Sequence, residues 1–121
     1  MSKRVLVVDD SASMRQVITF TLEKAGYEVK QGVDGKDGLS KLDQFAPHLV
    51  ISDLNMPNMD GLEFIKNIRL RPATKFTPVL MLTTESDAVK KQAGKTAGAT
   101  GWIVKPFNPE QLLQVIAKVL P

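Results

Sequence analysis

The 121-residue chain contains no cysteine. That excludes a disulfide framework, a thiolate metal site and a cysteine nucleophile, and it agrees with a reducing compartment. A single histidine is present, His48. It follows Pro47 just ahead of an apolar run, away from any acidic group, and reads as structural or solvated. Long hydrophobic runs are also missing. The start, MSKRVLVV, places only four apolar residues behind two basic ones, too few for a signal-peptide core, and no segment approaches the length of a membrane span. The expectation is a soluble, cytoplasmic protein with no membrane partner. Neither sign of charge dominates: 16 Lys and Arg face 13 Asp and Glu, for a net charge of +3. Lys90, Lys91 and Lys95 cluster, but no aromatic residues interleave with them and no helix-turn-helix pattern follows, so no nucleic-acid partner is expected.

The apolar content of 43% is ordinary for a globular protein. The length suffices for one domain with a real core and is too short for two, so residues 1–121 read as a single domain. No linker, repeat or low-complexity segment interrupts it.

Along the chain, five short apolar runs alternate with five stretches of helical spacing. The runs are VLVV from Val5, YEVKQ from Tyr27, LVIS from Leu49, VLML from Val79 and WIV from Trp102. Four are near-continuously apolar, as strands covered on both faces should be. YEVKQ alternates instead, with Tyr27 and Val29 against Glu28 and Lys30, and reads as an edge strand. In the first helix Met14, Val17, Ile18, Leu22 and Ala25 form an apolar stripe. Ser13 with Gln16 matches a capping box, and Gly26 stands where a helix ends. The second helix, near Lys36 to Phe45, is weakly patterned. The third carries Leu62, Ile65 and Ile68. The fourth, near Asp87 to Ala97, would bury only Val89, Ala93 and Ala97 with Gly94 inside, so it should be held loosely. In the last, Asn108 caps, Pro109 takes the first turn, and Leu112, Leu113, Ile116, Val119 and Leu120 line one face. Strict alternation implies an α/β fold: a doubly wound, flavodoxin-like (βα)5 sheet of five parallel strands in the order 2-1-3-4-5. Ligands of such sheets bind beyond the carboxyl ends of the strands, at the switch between strands one and three.

The residues at those ends carry the chemistry. Strand one runs into Asp9 and Asp10, two adjacent like charges that nothing nearby in sequence neutralises. Strand three ends in Asp53, strand four in Thr83 followed by Thr84 and Glu85, and strand five in Lys105 followed by Pro106. Converging carboxylates without nitrogen or sulfur ligands suit a hard cation, and Mg²⁺ fits best. A carboxylate can also act as a nucleophile toward phosphorus, and the developing charge then needs a metal and a cation to stabilise it. Asp53, Lys105 and Thr83 supply nucleophile, cation and hydroxyl donor. Each residue alone has a bland reading as a turn, cap or solvated charge; the order and spacing of all of them make the case.

In its motifs the chain resembles the receiver domains of two-component response regulators, and most of all the single-domain, CheY-like chemotaxis members. VDDS at Val8, DLNMPNMDG at Asp53, TTES at Thr83 and KPF at Lys105 occur in the family's order across the whole chain. The resemblance implies that Asp53 is the phosphoacceptor. It implies that Asp10 and Asp53 bind Mg²⁺ directly, with the Asn55 carbonyl as a further ligand and Asp9 acting partly through water. Thr83 and Lys105 should contact the phosphoryl group, while Asn55 and Glu85 tune its hydrolysis. The Lys105–Pro106 bond is cis in the family. The phosphodonor should be a CheA-like histidine kinase and the listener a downstream protein, such as the flagellar motor switch. Transfer and hydrolysis are self-catalysed, so no turnover enzyme is expected, and no stable dimer is indicated. One position departs: the family's switch aromatic, usually Tyr or Phe, is Trp102, which should turn inward less completely because it is larger.

Other functions leave distinguishable traces. A phosphate sink or relay intermediate would share the same strand-end chemistry. An aspartate-nucleophile phosphatase would need an aspartate, one spacer residue and a second aspartate after the first strand, and DDSAS has no second acid at that spacing. A flavodoxin-like electron carrier would need a hydroxyl-rich phosphate loop in place of the carboxylate pair.

Overall fold

A computed structural model describes residues 3–83 and 88–120, without the side chains of residues 88–91. In chain order the elements are β1 (Arg4–Val8), α1 (Ala12–Lys24), β2 (Glu28–Gly32), α2 (Gly35–Phe45) and β3 (Leu49–Asp53). They continue with α3 (Gly61–Leu70), β4 (Val79–Thr83), α4 (Ala88–Ala97), β5 (Gly101–Val104) and α5 (Pro109–Val119). All strands pair in parallel, in the expected order β2-β1-β3-β4-β5.

Strand side chains alternate between two faces, and the core divides accordingly. Val5, Val7, Leu49, Ile51, Leu80, Leu82 and Ile103 face α1 and α5, where Ile18, Leu22, Leu112 and Ile116 meet them. Leu6, Val8, Val50, Val79 and Met81 face α2 and α3, and Phe64, Ile65 and Ile68 close that side. β1, β3 and β4 are buried on both faces. β2 alternates exposed and partly buried residues up to Gly32, as an edge strand should. β5 is the other edge, and its Val104 is 41% exposed although its sequence reads as continuously apolar.

Local details depart from the sequence pattern in three places. The N-cap of α1 is Ser11, whose hydroxyl accepts the Met14 N–H, rather than Ser13. The tight turn out of β1 leaves Ser11 extended, so the helix begins before Ser13, which lies in the first turn. The buried face of α1 runs through Ile18 and Leu22, with Met14 partly buried beside them. Val17 is 52% exposed and Ala25 is an exposed C-cap, because both sit off the four-residue spacing that faces the sheet. α2 is better formed than its pattern implies. Asp34 caps it by accepting the Asp37 N–H, and its buried positions are Gly35, Gly38 and Leu42. Its face looks weak because side chains of other elements, such as Phe64 against Gly38, fill it. Gly26 follows α1 with a φ of 99°. No helix among the described residues is long and apolar enough to cross a membrane.

His48 lies at the end of the sheet away from the acidic strand ends. Its N–H donates to the Arg4 carbonyl (2.8 Å), and its Nδ1 accepts the Arg4 N–H (2.9 Å). It therefore joins β1 to the start of β3 and must be unprotonated at Nδ1 to do so. Burial, together with the nearby positive charges of Arg4 and Lys3, holds its pKa below the ordinary value. The unfolded chain then binds more protons below about pH 6.5, so this contribution is present above that pH and lost as pH falls. We expect His48→Gln to lose part of the stability difference between pH 7.5 and 5.5. Denaturant midpoints at the two pH values measure it, and an identical pH dependence in both proteins would contradict the assignment.

Candidate functional site

The carboxyl ends of β1, β3, β4 and β5 lie side by side. Asp53 terminates β3, where its backbone pairs with Leu82 of β4, while Thr83 pairs with Val104 beside Lys105. One oxygen from each of Asp9, Asp10 and Asp53 comes within 4.8 Å of the others. Asp9 is fully buried, Asp53 is 8% exposed, and Asp10 is exposed. Lys105 reaches between two of them, its Nζ 3.2 Å from Asp9 Oδ2 and 3.4 Å from Asp53 Oδ1. Among the described residues one ammonium thus answers two of the three carboxylates, and Asp10 has no ion-pair partner.

Each carboxylate is held differently. Asp9 Oδ1 accepts the Ser11 N–H (2.9 Å) and Oδ2 takes Lys105, so this side chain is committed to the turn and to the lysine. Asp53 Oδ1 accepts its neighbour's N–H from Leu54 (2.8 Å), and its carbonyl accepts the Ser52 hydroxyl (2.9 Å). Burial raises the pKa of Asp53; Lys105 opposes that effect and Asp9 adds to it. Burial and Asp9 therefore disfavour the charged form, and another cation would relieve it. All donors in the cluster are oxygens, which fits a hard divalent ion.

The loop after Asp53 is fixed from below. A Cβ on Gly61, the first residue of α3, would lie 2.5 Å from the Asp53 carbonyl oxygen and 2.9 Å from Leu54 Cα. Only glycine lets the helix start this close to the strand end. Met56 is buried and Met59 packs against the same core, so both methionines line the loop. Asn55 is exposed, two residues beyond Asp53. Thr83 is buried at the end of β4, and its carbonyl accepts the Lys105 N–H. The Lys105–Pro106 peptide is cis. Thr84 and Glu85 lie outside the described residues, as do the side chains of Val89, Lys90 and Lys91.

Trp102 pairs with Met81 across β4 and β5 and packs on the α2–α3 side of the sheet together with Ala97 and Ala99. Its indole lies against Gly94 of α4, so closely that a Cβ there would come within 2.7 Å of Cζ2. The small residues that make α4 look poorly anchored are the seat of this ring. Arg15, which holds the Asp9–Asp10 turn together with Ser11, escaped the sequence pattern. An arginine in a helix's first turn carries no signal that separates it from a solvated one.

The family model for the response regulator receiver domain matches residues 5–117. The chain belongs to the response regulator receiver family. It is 40% identical over 119 residues to the chemotaxis protein CheY1 of Helicobacter pylori, covering 97% of this chain and 96% of that protein. It is 34% identical over 120 residues to the alkaline phosphatase synthesis transcriptional regulatory protein PhoP of Bacillus subtilis. There it covers 99% of this chain but spans only 49% of the relative's length. Among solved structures, the chemotaxis protein CheY4 of Vibrio cholerae superposes with a TM-score of 0.96 at 52% identity, over 99% of this chain and 100% of that one. Receiver domains are in general signalling rather than enzymatic domains and typically bind Mg²⁺. CheY-like receivers interact with histidine kinases and downstream targets.

Two outcomes follow from this geometry. Asp53→Asn removes a charge that burial disfavours, so we expect it to melt higher than the wild type at pH 7 without divalent ions. Mg²⁺ should then raise the melting temperature of the wild type more than that of the variant; equal shifts would remove Asp53 from the cation site. Gly94→Ala should displace the indole and cost about 1–3 kcal/mol, despite the roughly 1 kcal/mol helix preference for Ala. A variant as stable as the wild type, with unshifted tryptophan emission, would show that the ring is not seated there.

Proposed function

We propose that this protein is a phosphorylation-activated, single-domain response regulator, spanning residues 1–121, that takes a phosphoryl group onto Asp53. The observation that carries this reading is the placement of Lys105 between buried Asp9 and Asp53, beside exposed Asp10. A carboxylate oxygen of Asp53 attacks phosphorus. The new P–O bond forms as the P–N bond of a kinase phosphohistidine breaks, and the electron pair returns to the imidazole. Lys105 stabilises the charge on the phosphoryl oxygens, and the Thr83 hydroxyl donates to one of them. Asp10, Asp53 and the Asn55 carbonyl would hold Mg²⁺, with Asp9 acting partly through water. The ion supplies the remaining positive charge. Asn55 and Glu85 tune the later hydrolysis of the acyl phosphate.

The donor is a CheA-like histidine kinase, and the output is altered binding to a downstream protein, the flagellar motor switch. The relatives named as chemotaxis proteins, matched over nearly their full lengths, support that direction. The protein acts in the cytoplasm as a monomer. Trp102 and the Lys105–Pro106 segment carry the change from the site to the face of β5, and the phosphoryl group works by favouring one of two conformations.

The test is direct phosphorylation by acetyl phosphate with and without Mg²⁺, read by intact mass. We expect a Mg²⁺-dependent gain of one phosphoryl group that is absent in Asp53→Ala. No gain at high donor concentration, in protein shown to bind Mg²⁺, would leave a constitutive binding module and remove Asp53 as nucleophile.

A further inference from the structure

We propose that Arg15 is a positioning residue for the divalent-cation site. This rests on the reading of Asp9, Asp10 and Asp53 as that site. Asp9 and Asp10 stand on a turn that like-charge repulsion tends to open. Asp9 is tied at four points: its N–H to the Gly32 carbonyl (3.2 Å), Oδ1 to Ser11, Oδ2 to Lys105, and its carbonyl to Arg15 Nη1 (2.6 Å). The last of these is different in kind. The Asp9 carbonyl belongs to the planar peptide that joins Asp9 to Asp10. Holding that oxygen sets the tilt of the plane from which the exposed Asp10 projects.

Arg15 is also tied at its other side. Its Nε donates to Gln31 Oε1 on β2 (3.2 Å). The guanidinium is thus a strut linking the acidic turn, the first turn of α1 and the edge strand. Its charge rests on a backbone carbonyl and a neutral amide. Among the described residues it forms no ion pair with Asp9, Asp10 or Asp53. It therefore orients the turn without occupying a ligand oxygen.

Two simple models give opposite signs. If Arg15 acted only as a nearby positive charge, its removal would tighten cation binding. If it positions the turn, removal loosens binding, and Lys, a point charge without the planar fork, cannot replace it. The experiment titrates the full chain with Mn²⁺, reading free Mn²⁺ by electron paramagnetic resonance, and then displaces it with Mg²⁺. We expect Arg15→Gln and Arg15→Lys each to weaken binding about tenfold, the low end for groups that orient metal ligands. Labelling by acetyl phosphate should need about tenfold more Mg²⁺ to reach half its maximal rate in both Arg15 variants, in step with the weakened cation binding. Gln31→Met keeps Arg15 and its charge while removing the far anchor, and should weaken binding by a smaller factor than the Arg15 variants; it also serves if the Arg15 variants fold poorly. Unchanged or tighter binding in Arg15→Gln, or unchanged binding in Gln31→Met, would overturn the proposal. Failure of the wild type itself to bind either ion would instead overturn the cation site.

Discussion

Two carboxylates, Asp9 and Asp53, are buried beside one another with a single lysine between them. Their mutual repulsion and the partial relief from Lys105 are the constraint on which the rest of the site depends. An isolated buried charge is costly, and here the cost is only partly offset. Burial pushes the Asp53 carboxyl up while the ammonium pulls it down. Such a site stores a demand for positive charge, which a cation can meet. In the proposed function, the two requirements of an acceptor, a nucleophilic carboxylate and a place for transferred negative charge, would come from one arrangement.

The fold contributes rigidity where the charges meet. β1, β3 and β4 are buried on both faces, so their ends cannot drift apart without opening the core. The loop beyond Asp53 is closed against the strand by the approach of α3 at Gly61. The turn beyond β1 is braced by Ser11, Gly32 and Arg15. Both acidic segments are therefore held by hydrogen bonds and close packing, in which the Asp9 carboxylate itself takes part.

β5 joins this centre to an edge of the sheet. Lys105 follows it at the charged end, and Trp102 sits three residues earlier with its ring against Gly94 of α4. A displacement of Lys105 and a displacement of the indole are thus movements of one short strand. α4 buries little through its own small side chains. The large ring of a neighbouring strand supplies the contact, so strand and helix share a single interface.

Much of this was legible from residue order. Alternating apolar runs and helical stripes determined a parallel α/β sheet, and the alternation of Glu28 to Gln31 marked one edge. The strand-end positions of Asp9, Asp10, Asp53, Thr83 and Lys105 foretold that these residues lie together, because strands of a doubly wound sheet all deliver their carboxyl ends to one side. Other features depended on neighbours distant in sequence. The exposure of Val17, the firmness of α2, the seat of Trp102 and the strut formed by Arg15 each depend on side chains from other elements. Periodicity states which face a residue takes along its own element. Only packing decides what meets that face, and only the assembled charges decide which carboxylate is committed and which remains strained.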